Sequence, residues 1–211
     1  MVEKTLLYPN QDGIVEVKWE LEPTLIILSG GSGTGKSTIA KLLTEDKQYK
    51  IKKLITTTTR PQRVGEVNGK DYYFTNKSQF DMSVLKDEFL EHVEYNNHLY
   101  GTSKHALDFV LKREKENALL ILDTKGMFRL KSYCKSQGYQ CLTIWLETPQ
   151  ISNMITHMRV RKTPADEILD RLIIWEQEAT HKNKYDLVLT ATDPEDASKK
   201  IKNELLNKYG K

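Results

Sequence analysis

The sequence has only two cysteines among its 211 residues, Cys134 and Cys141. They show no metal-ligand spacing and no partnering histidine, so we expect two reduced thiols and no redox centre. Long apolar runs are missing as well, because no segment approaches the ~20 residues that cross a membrane. The first residues also carry no apolar stretch typical of a signal peptide. We therefore expect a soluble, cytoplasmic protein with no membrane partner.

An excess of one charge sign is missing too. The chain has 32 Lys and Arg against 29 Asp and Glu, which gives a net charge of +3 at pH 7. Nucleic-acid-binding modules typically carry a basic stripe with interleaved aromatic residues, and the sequence contains none. We therefore expect no nucleic-acid partner. The length is sufficient for one domain with a full hydrophobic core.

Four short apolar runs are present, and they are separated by helix-like stretches. Runs of this kind are typical of strands that are buried on both faces of a parallel sheet. Their alternation with helices predicts an α/β fold, with helices flanking the sheet. The four runs cover residues 24–29, 118–123, 141–146 and 186–190.

Two segments depart from this alternation. Residues 1–22 form an N-terminal extension of unknown role, and a turn signal at 11–13 predicts a hairpin within it. Residues 54–105 contain a β-branched run, paired glycines and many aromatic residues. They predict an antiparallel module inserted into the main domain, which we place at 23–211.

Two downstream helices have recognisable start signals. Thr163 is a good N-cap with Pro164 at the first helical position, and Asp193 precedes Pro194 in the same way. We therefore expect one helix to begin near Pro164 and the last helix to begin after Asp193.

The segment GGSGTGKS matches the phosphate-binding loop pattern GxxxxGK[ST] and stands between a predicted strand and a predicted helix. Its glycines let backbone N–H groups face a phosphate, while Lys36 reaches the β and γ oxygens of ATP. A plain glycine turn would leave Lys36 and Ser37 unexplained. The predicted ATP-binding residues are Gly30, Gly31, Ser32, Gly33, Thr34, Gly35, Lys36, Ser37 and Thr38.

Two residues are candidates for holding Mg²⁺. Ser37 offers its hydroxyl group, and Asp123 ends a predicted strand where phosphate-binding-loop proteins commonly place an acid near the metal. The alternative for Asp123 is a carboxylate that caps the next helix.

Two further stretches resemble the acceptor module of the guanylate kinase family. They read TTTTRPQRVGEVNGKDYYF from Thr56 and FLEHVEYNNHLYGTSK from Phe89 to Lys104. The family pattern is approximately TTRxPRxGExxGxDYxF, followed by FxE and YGT or YGS. With the phosphate-binding loop, the resemblance covers about residues 24–208 in the right order.

The resemblance implies two sets of acceptor residues. Guanidinium groups grip phosphate bidentately, and a carboxylate accepts from both N1–H and the N2 amino group of guanine. Taken singly, the alternatives are surface arginines, core tyrosines and an exposed carboxylate. The implied phosphate clamp is Arg60, Arg63, Tyr72 and Tyr100, and the implied guanine-binding residues are Thr56, Glu91 and Thr102.

The resemblance also implies a helical lid at about residues 157–172. Its arginines, Arg159, Arg161 and Arg171, would act with Lys36 as catalytic residues by bringing positive charge to the transferring phosphoryl group. For one of the three we expect only a place on the helix surface.

The implied activity is that of a kinase that moves the γ-phosphate of ATP, with Mg²⁺, onto GMP or dGMP. A scaffold protein that uses the same site for binding is one alternative, and a kinase of another small phosphorylated acceptor, such as ribose 1,5-bisphosphate, is another. The preference between GMP and dGMP, the oligomeric state and regulation stay open.

The chain also departs from the family pattern at several positions. These departures bear on catalytic efficiency and donor preference more than on the fold. The departures are Pro61 and Gln62 in the first stretch, Ile121 before Asp123, Lys125 after it, and Thr190 near the expected adenine site.

Overall fold

The computed structural model describes residues 2–10, 13–95, 97–148, 150–190 and 193–210. The strands are β1 (Val2–Asn10), β2 (Gly13–Leu21), β3 (Thr24–Gly30), β4 (Ile51–Lys53), β5 (Thr57–Thr58), β6 (Tyr73–Phe74), β7 (Phe89–Tyr95), β8 (His98–Ser103), β9 (Asn117–Ile121), β10 (Gln140–Glu147) and β11 (Leu187–Thr190). The helices are α1 (Lys36–Glu45), α2 (Lys77–Leu85), α3 (Lys104–Asp108), α4 (Thr124–Gln137), α5 (Ile151–Val160), α6 (Ala165–Ala179) and α7 (Pro194–Tyr209).

A five-stranded parallel sheet forms the centre of the molecule, in the order β11-β10-β3-β9-β4. β3 lies in the middle and pairs with β9 on one side and β10 on the other. The four predicted apolar runs are β3, β9, β10 and β11, so the predicted α/β fold is confirmed. Because the strands are parallel, their carboxyl ends meet at one edge, which is where ligands bind in open sheets of this kind.

The sheet has a hydrophobic core on each face. Along β3 the side chains alternate, so that Ile26 and Leu28 pack with α1 and α7 while Leu25 and Ile27 pack with α3 and α4. Trp145 of β10 is fully buried in the second core. Both faces are therefore covered, which accounts for the continuous apolar runs of the strands.

The insertion at 54–105 contains its own sheet, in the order β6-β5-β8-β7, together with α2. The pairs β5–β8 and β7–β8 are antiparallel, as predicted, whereas β5 and β6 pair in parallel through two residues each. The predicted antiparallel module is thus a mixed sheet. The parallel pair is possible because the long loop 59–72 lets the chain return in the same direction.

The N-terminal strands β1 and β2 form an antiparallel hairpin, as the turn signal predicts. The signal's first two residues, Gln11 and Asp12, lie outside the described residues. Leu21 at the end of β2 bridges Gly210, and the N–H of Glu22 donates to the carbonyl of Tyr209. The hairpin therefore joins the main domain beside the end of α7.

The two predicted helix starts are close to the observed ones. Asp193 caps α7 by accepting from the N–H groups of Glu195 and Asp196. The prediction for α6 was wrong by one residue, because Pro164 and not Thr163 occupies the N-cap, and no side chain caps the helix. The N–H of Thr163 instead donates to the carbonyl of Met158, which closes the turn after α5.

Within the described ranges, no helix combines the length and the apolar character that crossing a membrane requires.

Candidate active site

The loop between β3 and α1 has the backbone of an anion-binding turn. Gly35 is the N-cap of α1 with φ 87° and ψ 5°, in the left-handed region that glycine adopts without strain. This conformation turns the loop directly into the helix N-terminus. Backbone N–H groups and the positive end of the helix dipole then face the same point, which suits a phosphate group.

The helices α5 and α6 pack directly against this loop. A Cβ atom on Gly31 would lie 2.4 Å from Cε of Met154 and 2.5 Å from Cδ1 of Trp175. Any side chain at position 31 would clash with these two residues, so the position requires glycine. Trp175 is half-buried, packs against the hydrophobic core and lines the cavity beside the loop.

Lys36 folds back onto its own loop. Its Nζ donates to the carbonyl oxygens of Gly30 and Gly31, at 2.6 Å each. Burial lowers the pKa of Lys36 to about 8, although the charge of Glu178 opposes this shift. A buried cation held only by carbonyl dipoles gains most from an anion, so an arriving phosphate has a ready partner.

The three hydroxyl residues around Lys36 are placed differently from one another. Ser37 lines the cavity and is exposed, as a metal or phosphate ligand must be. Thr34 is buried and donates its hydroxyl to the Gly31 carbonyl at 2.9 Å, so its side chain braces the loop. Thr38 is exposed but is absent from the described cavity linings, because one step along a helix rotates the side chain by about 100°.

The lid segment contacts the loop through two polar side chains. Arg171 donates from Nη1 to Oγ of Ser32 at 2.9 Å, while its Nε and Nη2 pair with Oε1 of Glu167 at 3.1 and 2.6 Å. His157 places Nδ1 2.7 Å from the Gly33 carbonyl oxygen. Both lid helices therefore sit over the phosphate-binding loop.

The structure brings two of the three predicted lid arginines to the site. Arg161, at the C-cap of α5, and Arg171 line the cavity with Lys36. Arg159 is exposed and is absent from the described residues that line the cavity, which is the helix-surface place expected for one of the three. Two residues along a helix differ by about 200° in direction, so Arg159 and Arg161 face opposite sides.

The predicted phosphate clamp is partly assembled. Arg60 is 8% exposed, pairs with Oε1 of Glu66 at 2.7 Å, and lies over the Tyr72 ring at 5.2 Å from its centroid. The rings of Tyr72 and Tyr100 are 6.1 Å apart. Arg63 is exposed, and its backbone N–H donates to Oε2 of Glu66 at 2.8 Å. The sequence did not identify Glu66, whose carboxylate accepts from the Arg60 side chain and from the Arg63 backbone N–H.

Pro61, whose position departs from the family pattern, is flanked by local hydrogen bonds. Nη1 of Arg60 donates to the Pro61 carbonyl at 2.8 Å, and the side-chain amide of Gln62 donates to the Glu66 carbonyl. The departure from the family pattern therefore leaves the Arg60 guanidinium paired and oriented.

Glu91 and Thr102 form a buried polar pair. Glu91 is 6% exposed and Thr102 is fully buried, and Oγ1 of Thr102 donates to Oε1 of Glu91 at 2.9 Å. Burial raises the pKa of Glu91. Glu91 lines a cavity of about 400 Å³, the base cavity, whereas Thr56 is absent from its described lining and gives its carbonyl to the Tyr73 N–H. Of the three implied base-binding residues, Glu91 lines this cavity, whereas Thr56 and Thr102 are both absent from its described lining.

Asp123 takes the alternative role foreseen for it and also faces the site. Its Oδ1 accepts from the Gly126 N–H at 2.6 Å, which makes it the N-cap of α4. It also lines the cavity that contains Lys36 and Ser37. In the described part of the chain no three acidic, histidine or cysteine residues cluster as a metal cage. Ser37 and Asp123 offer only hard oxygen atoms, which suits an ion that keeps much of its water.

Two cavities share one wall. The phosphate cavity, about 920 Å³, contains the phosphate-binding loop, Arg161, Arg171 and Tyr72. It shares four residues with the base cavity, namely Val93, Glu94, Asp123 and Lys125. The two cavities therefore lie side by side.

Sequence reading missed Glu178, near the end of α6. Its Oε1 accepts from the Thr124 N–H at 3.3 Å, and it lines the phosphate cavity with Lys36. Burial raises the pKa of Glu178. Glu178 lies seven residues after Arg171, which is two helical turns, so helical spacing could have found it.

The remaining residues that depart from the family pattern differ in whether they line the two cavities. Ile121 lines the phosphate cavity, and Lys125 lines both cavities. Thr190 is exposed at the end of β11 and is absent from the described linings of both. An added cation at Lys125 is thus the departure that changes the charge of the site most directly.

Comparisons with known proteins agree with this geometry. A sequence model of guanylate kinase matches residues 22–208. The guanylate kinase of Mycoplasma mobile is 33% identical over 184 residues, which cover 86% of this chain and 91% of that protein. That of Caldanaerobacter subterraneus is 34% identical over 181 residues, 84% of each chain. The crystal structure of guanylate kinase from Anaplasma phagocytophilum has a TM-score of 0.69 at 25% identity, covering 90% of this chain and 88% of that one. The chain belongs to the guanylate kinase family.

Proposed function

We propose that this protein transfers the γ-phosphoryl group of ATP to GMP, and also to dGMP, forming ADP and the nucleoside diphosphate. One observation carries the proposal. The phosphate-binding loop with Lys36 lines one cavity, and Glu91, which accepts from the buried Thr102, lines a second cavity that shares a wall with the first. Phosphoryl transfer is largely a matter of positioning and charge, so this arrangement suffices for it.

On the donor side, the loop N–H groups and the α1 N-terminus bind the ATP phosphates. Lys36 exchanges its two carbonyl partners for phosphate oxygens, a stronger charge-assisted interaction. Arg161 and Arg171 approach from the lid and stabilise the negative charge that shifts during transfer.

Ser37 and Asp123 are the residues that would hold Mg²⁺. They face the same cavity, and Mg²⁺ typically takes one or two carboxylates together with substrate phosphates and water. The ion would supply positive charge that offsets the negative charge of the ATP phosphates.

On the acceptor side, Arg60, Arg63, Tyr72 and Tyr100 hold the phosphate of GMP. Arg60 is kept in place by Glu66 and by the Tyr72 ring, so little side-chain freedom is lost on binding. Glu91 accepts from the N1–H and N2 amino group of guanine, with Thr102 fixing one carboxylate oxygen.

The direct test is a coupled assay of ADP formation with MgATP and a panel of GMP, dGMP, AMP, CMP, UMP and ribose 1,5-bisphosphate. We expect turnover with GMP and dGMP that stops when Mg²⁺ is chelated. If none of these acceptors supports ADP formation, the scaffold alternative replaces this proposal. If ADP forms only with ribose 1,5-bisphosphate, the alternative of a kinase for another small acceptor replaces it.

A cytoplasmic location and the lack of a nucleic-acid partner stay predictions from the sequence. Fractionation of the producing cells would test the location. A salt-dependent shift of labelled RNA or DNA by the purified protein would contradict the expectation about partners.

A further inference from the structure

A cation that the family resemblance does not assign lies beside the base cavity. Arg129 is on α4 and lines this cavity together with Glu91. Its Nη1 donates to the backbone carbonyl of His92 at 3.3 Å. Because His92 directly follows Glu91 in β7, this bond holds the guanidinium against the strand that carries Glu91.

The charges around Glu91 oppose one another. Burial is the largest influence and raises the pKa of Glu91, and the carboxylate of Asp123 raises it further. The hydrogen bond from Thr102 and the charge of Arg129 lower it. The other titratable groups that line the base cavity are His92 and Glu94 on β7 and Lys125 on α4.

Arg129 is better placed than Lys125 to act on Glu91. Lys125 lines both cavities and is two residues from Asp123, so its charge is shared with the phosphate side. Arg129 lines the base cavity, is absent from the described lining of the phosphate cavity, and is tied to β7. A guanidinium also keeps its charge at every pH of interest, so it does not titrate together with Glu91.

We propose that Arg129 is a positioning residue for base recognition, which keeps the Glu91 carboxylate ionised and directed at the guanine edge. This inference rests on the proposed function, because it assigns to Arg129 a part in the binding of GMP. It also makes Arg129 the residue that sets the acid limit of GMP recognition.

The chemistry gives the direction of the effect. An ionised Glu91 accepts from two guanine donors, whereas a protonated one becomes a donor at one oxygen and faces the N1–H or N2 amino donors. Loss of Arg129 removes a positive charge that favours the ionised form. Protonation of Glu91 would then occur at a higher pH, and GMP recognition would fail earlier as the solution becomes acidic.

The test is the pH profile of kcat/KM for GMP at saturating MgATP, with Arg129→Met, Arg129→Lys and the parent protein. We expect the acid limb of Arg129→Met to move to higher pH. One unit of movement would give about a tenfold loss on that limb and little loss on the alkaline side. Arg129→Lys should retain most of the parent profile, because the charge is kept. The phosphate of GMP titrates equally in all variants, so the difference between variants is the readout.

Inosine monophosphate, which lacks the N2 amino group, gives a second readout. We expect the preference for GMP over inosine monophosphate to shrink in Arg129→Met on the acid limb, where fewer molecules have an ionised Glu91. Lys135→Met is the matched control, since Lys135 is an exposed cation on the same helix and is absent from the described lining of the base cavity.

Several results would overturn the inference. One is a pH profile of kcat/KM for Arg129→Met that superimposes on the parent profile. Another is a loss of kcat/KM in Arg129→Met that is equal at every pH. A third is a shift of the acid limb in Lys135→Met that equals the shift in Arg129→Met. Circular dichroism establishes that each variant is folded. If the parent protein itself does not phosphorylate GMP, the proposed function fails, and GMP binding measured by calorimetry across the same pH range then tests Arg129 by itself.

Discussion

At the scale of single residues, the site contains two buried groups of opposite charge, Lys36 and Glu91. Burial lowers the pKa of Lys36 to about 8 and raises the pKa of Glu91. In each case the protein makes the charged form less favourable than it is in water. A phosphate beside Lys36 and guanine donors beside Glu91 would reverse both effects, so substrate binding and charge stabilisation are coupled at these two residues.

Replacing Glu91 with Gln should reduce the discrimination between GMP and AMP. The amide keeps the shape of the carboxylate but places a donor against the guanine donors. A site that binds through buried hydrogen bonds can discriminate by ~10⁴ or more. The measurement is kcat/KM for GMP and AMP in the parent and in Glu91→Gln at equal MgATP. An unchanged ratio would show that Glu91 does not contact the base.

Replacing Lys36 with Met should abolish most activity and stabilise the free protein. Turnover should fall by about 10² or more, since a positive charge near the moving phosphoryl group is lost. The folded-state pKa of Lys36 lies below its unfolded value of 10.5. Its protonation therefore opposes folding below about pH 8, and this cost is relieved as pH rises from about 8 towards 10.5. At neutral pH, Lys36→Met should therefore raise Tm by about 2–4 °C, the shift that ~1 kcal/mol produces at this size.

Lys41→Met on the same helix is the control for Lys36→Met. Lys41 is exposed and pairs only across the surface with Glu45, at 3.7 Å, so its loss should leave both turnover and Tm nearly unchanged. A Lys36→Met protein with parent turnover, or with a lowered Tm at neutral pH, would contradict the assignment.

At the scale of elements, the lid helices do not stand apart from the donor site. α5 and α6 touch the phosphate-binding loop through Met154, Trp175, His157 and Arg171. If a bound phosphate displaces the loop, the loop will push on both helices. We therefore expect donor binding to move the arginines of the lid.

Two arginines on this lid provide a matched pair of variants. Arg161→Ala should reduce kcat by about 10² with little change in the KM for GMP, because its charge acts mainly on the phosphoryl group in transfer. Arg159→Ala should leave both constants near the parent values, since Arg159 is exposed and away from the described cavity lining. Equal losses in the two variants would show that the lid acts only through its total charge.

At the scale of the whole molecule, one carboxylate joins three elements behind the active site. Asp186 accepts from the N–H and hydroxyl of Thr143 at 2.9 and 2.6 Å, and it pairs with Lys208 at 2.9 Å and Lys131 at 3.3 Å. These contacts connect α4, β10 and α7. Burial alone would raise the pKa of Asp186, but the hydrogen bonds from Thr143 and Lys208 outweigh it and lower the pKa to about 2.

Asp186→Asn should therefore lower the free energy of unfolding at neutral pH by ~1–2 kcal/mol, once solvent screening is allowed for. The folded-state pKa lies below the unfolded value of 3.8, so the stabilisation is present above that pH and is lost as pH falls towards 2. Urea unfolding at several pH values should show the parent and the variant converging in acid. Asp81→Asn, in an exposed pair with Lys77, is the control and should change little. A difference that persists at about pH 2 would contradict the linkage.

The sequence by itself determined the features that depend on neighbouring residues. Gly30 to Ser37 forms one turn between a strand and a helix, and a local pattern of backbone torsions and side chains is sufficient to define it. The buried strands follow in the same way from continuous apolar runs, since a strand covered on both faces needs no polar side. The match of this chain to the family rests on such local patterns.

Only the tertiary structure decided which distant side chains share a cavity. Arg159 and Arg161 look equivalent in the sequence, but only Arg161 is among the described residues that line the phosphate cavity. Arg129 and Glu178 belong to no motif, and they reach the site because α4 and α6 both face the carboxyl edge of the sheet. The direction of a side chain depends on how its helix packs, and that packing is set by contacts between residues far apart in the chain, which local patterns do not contain.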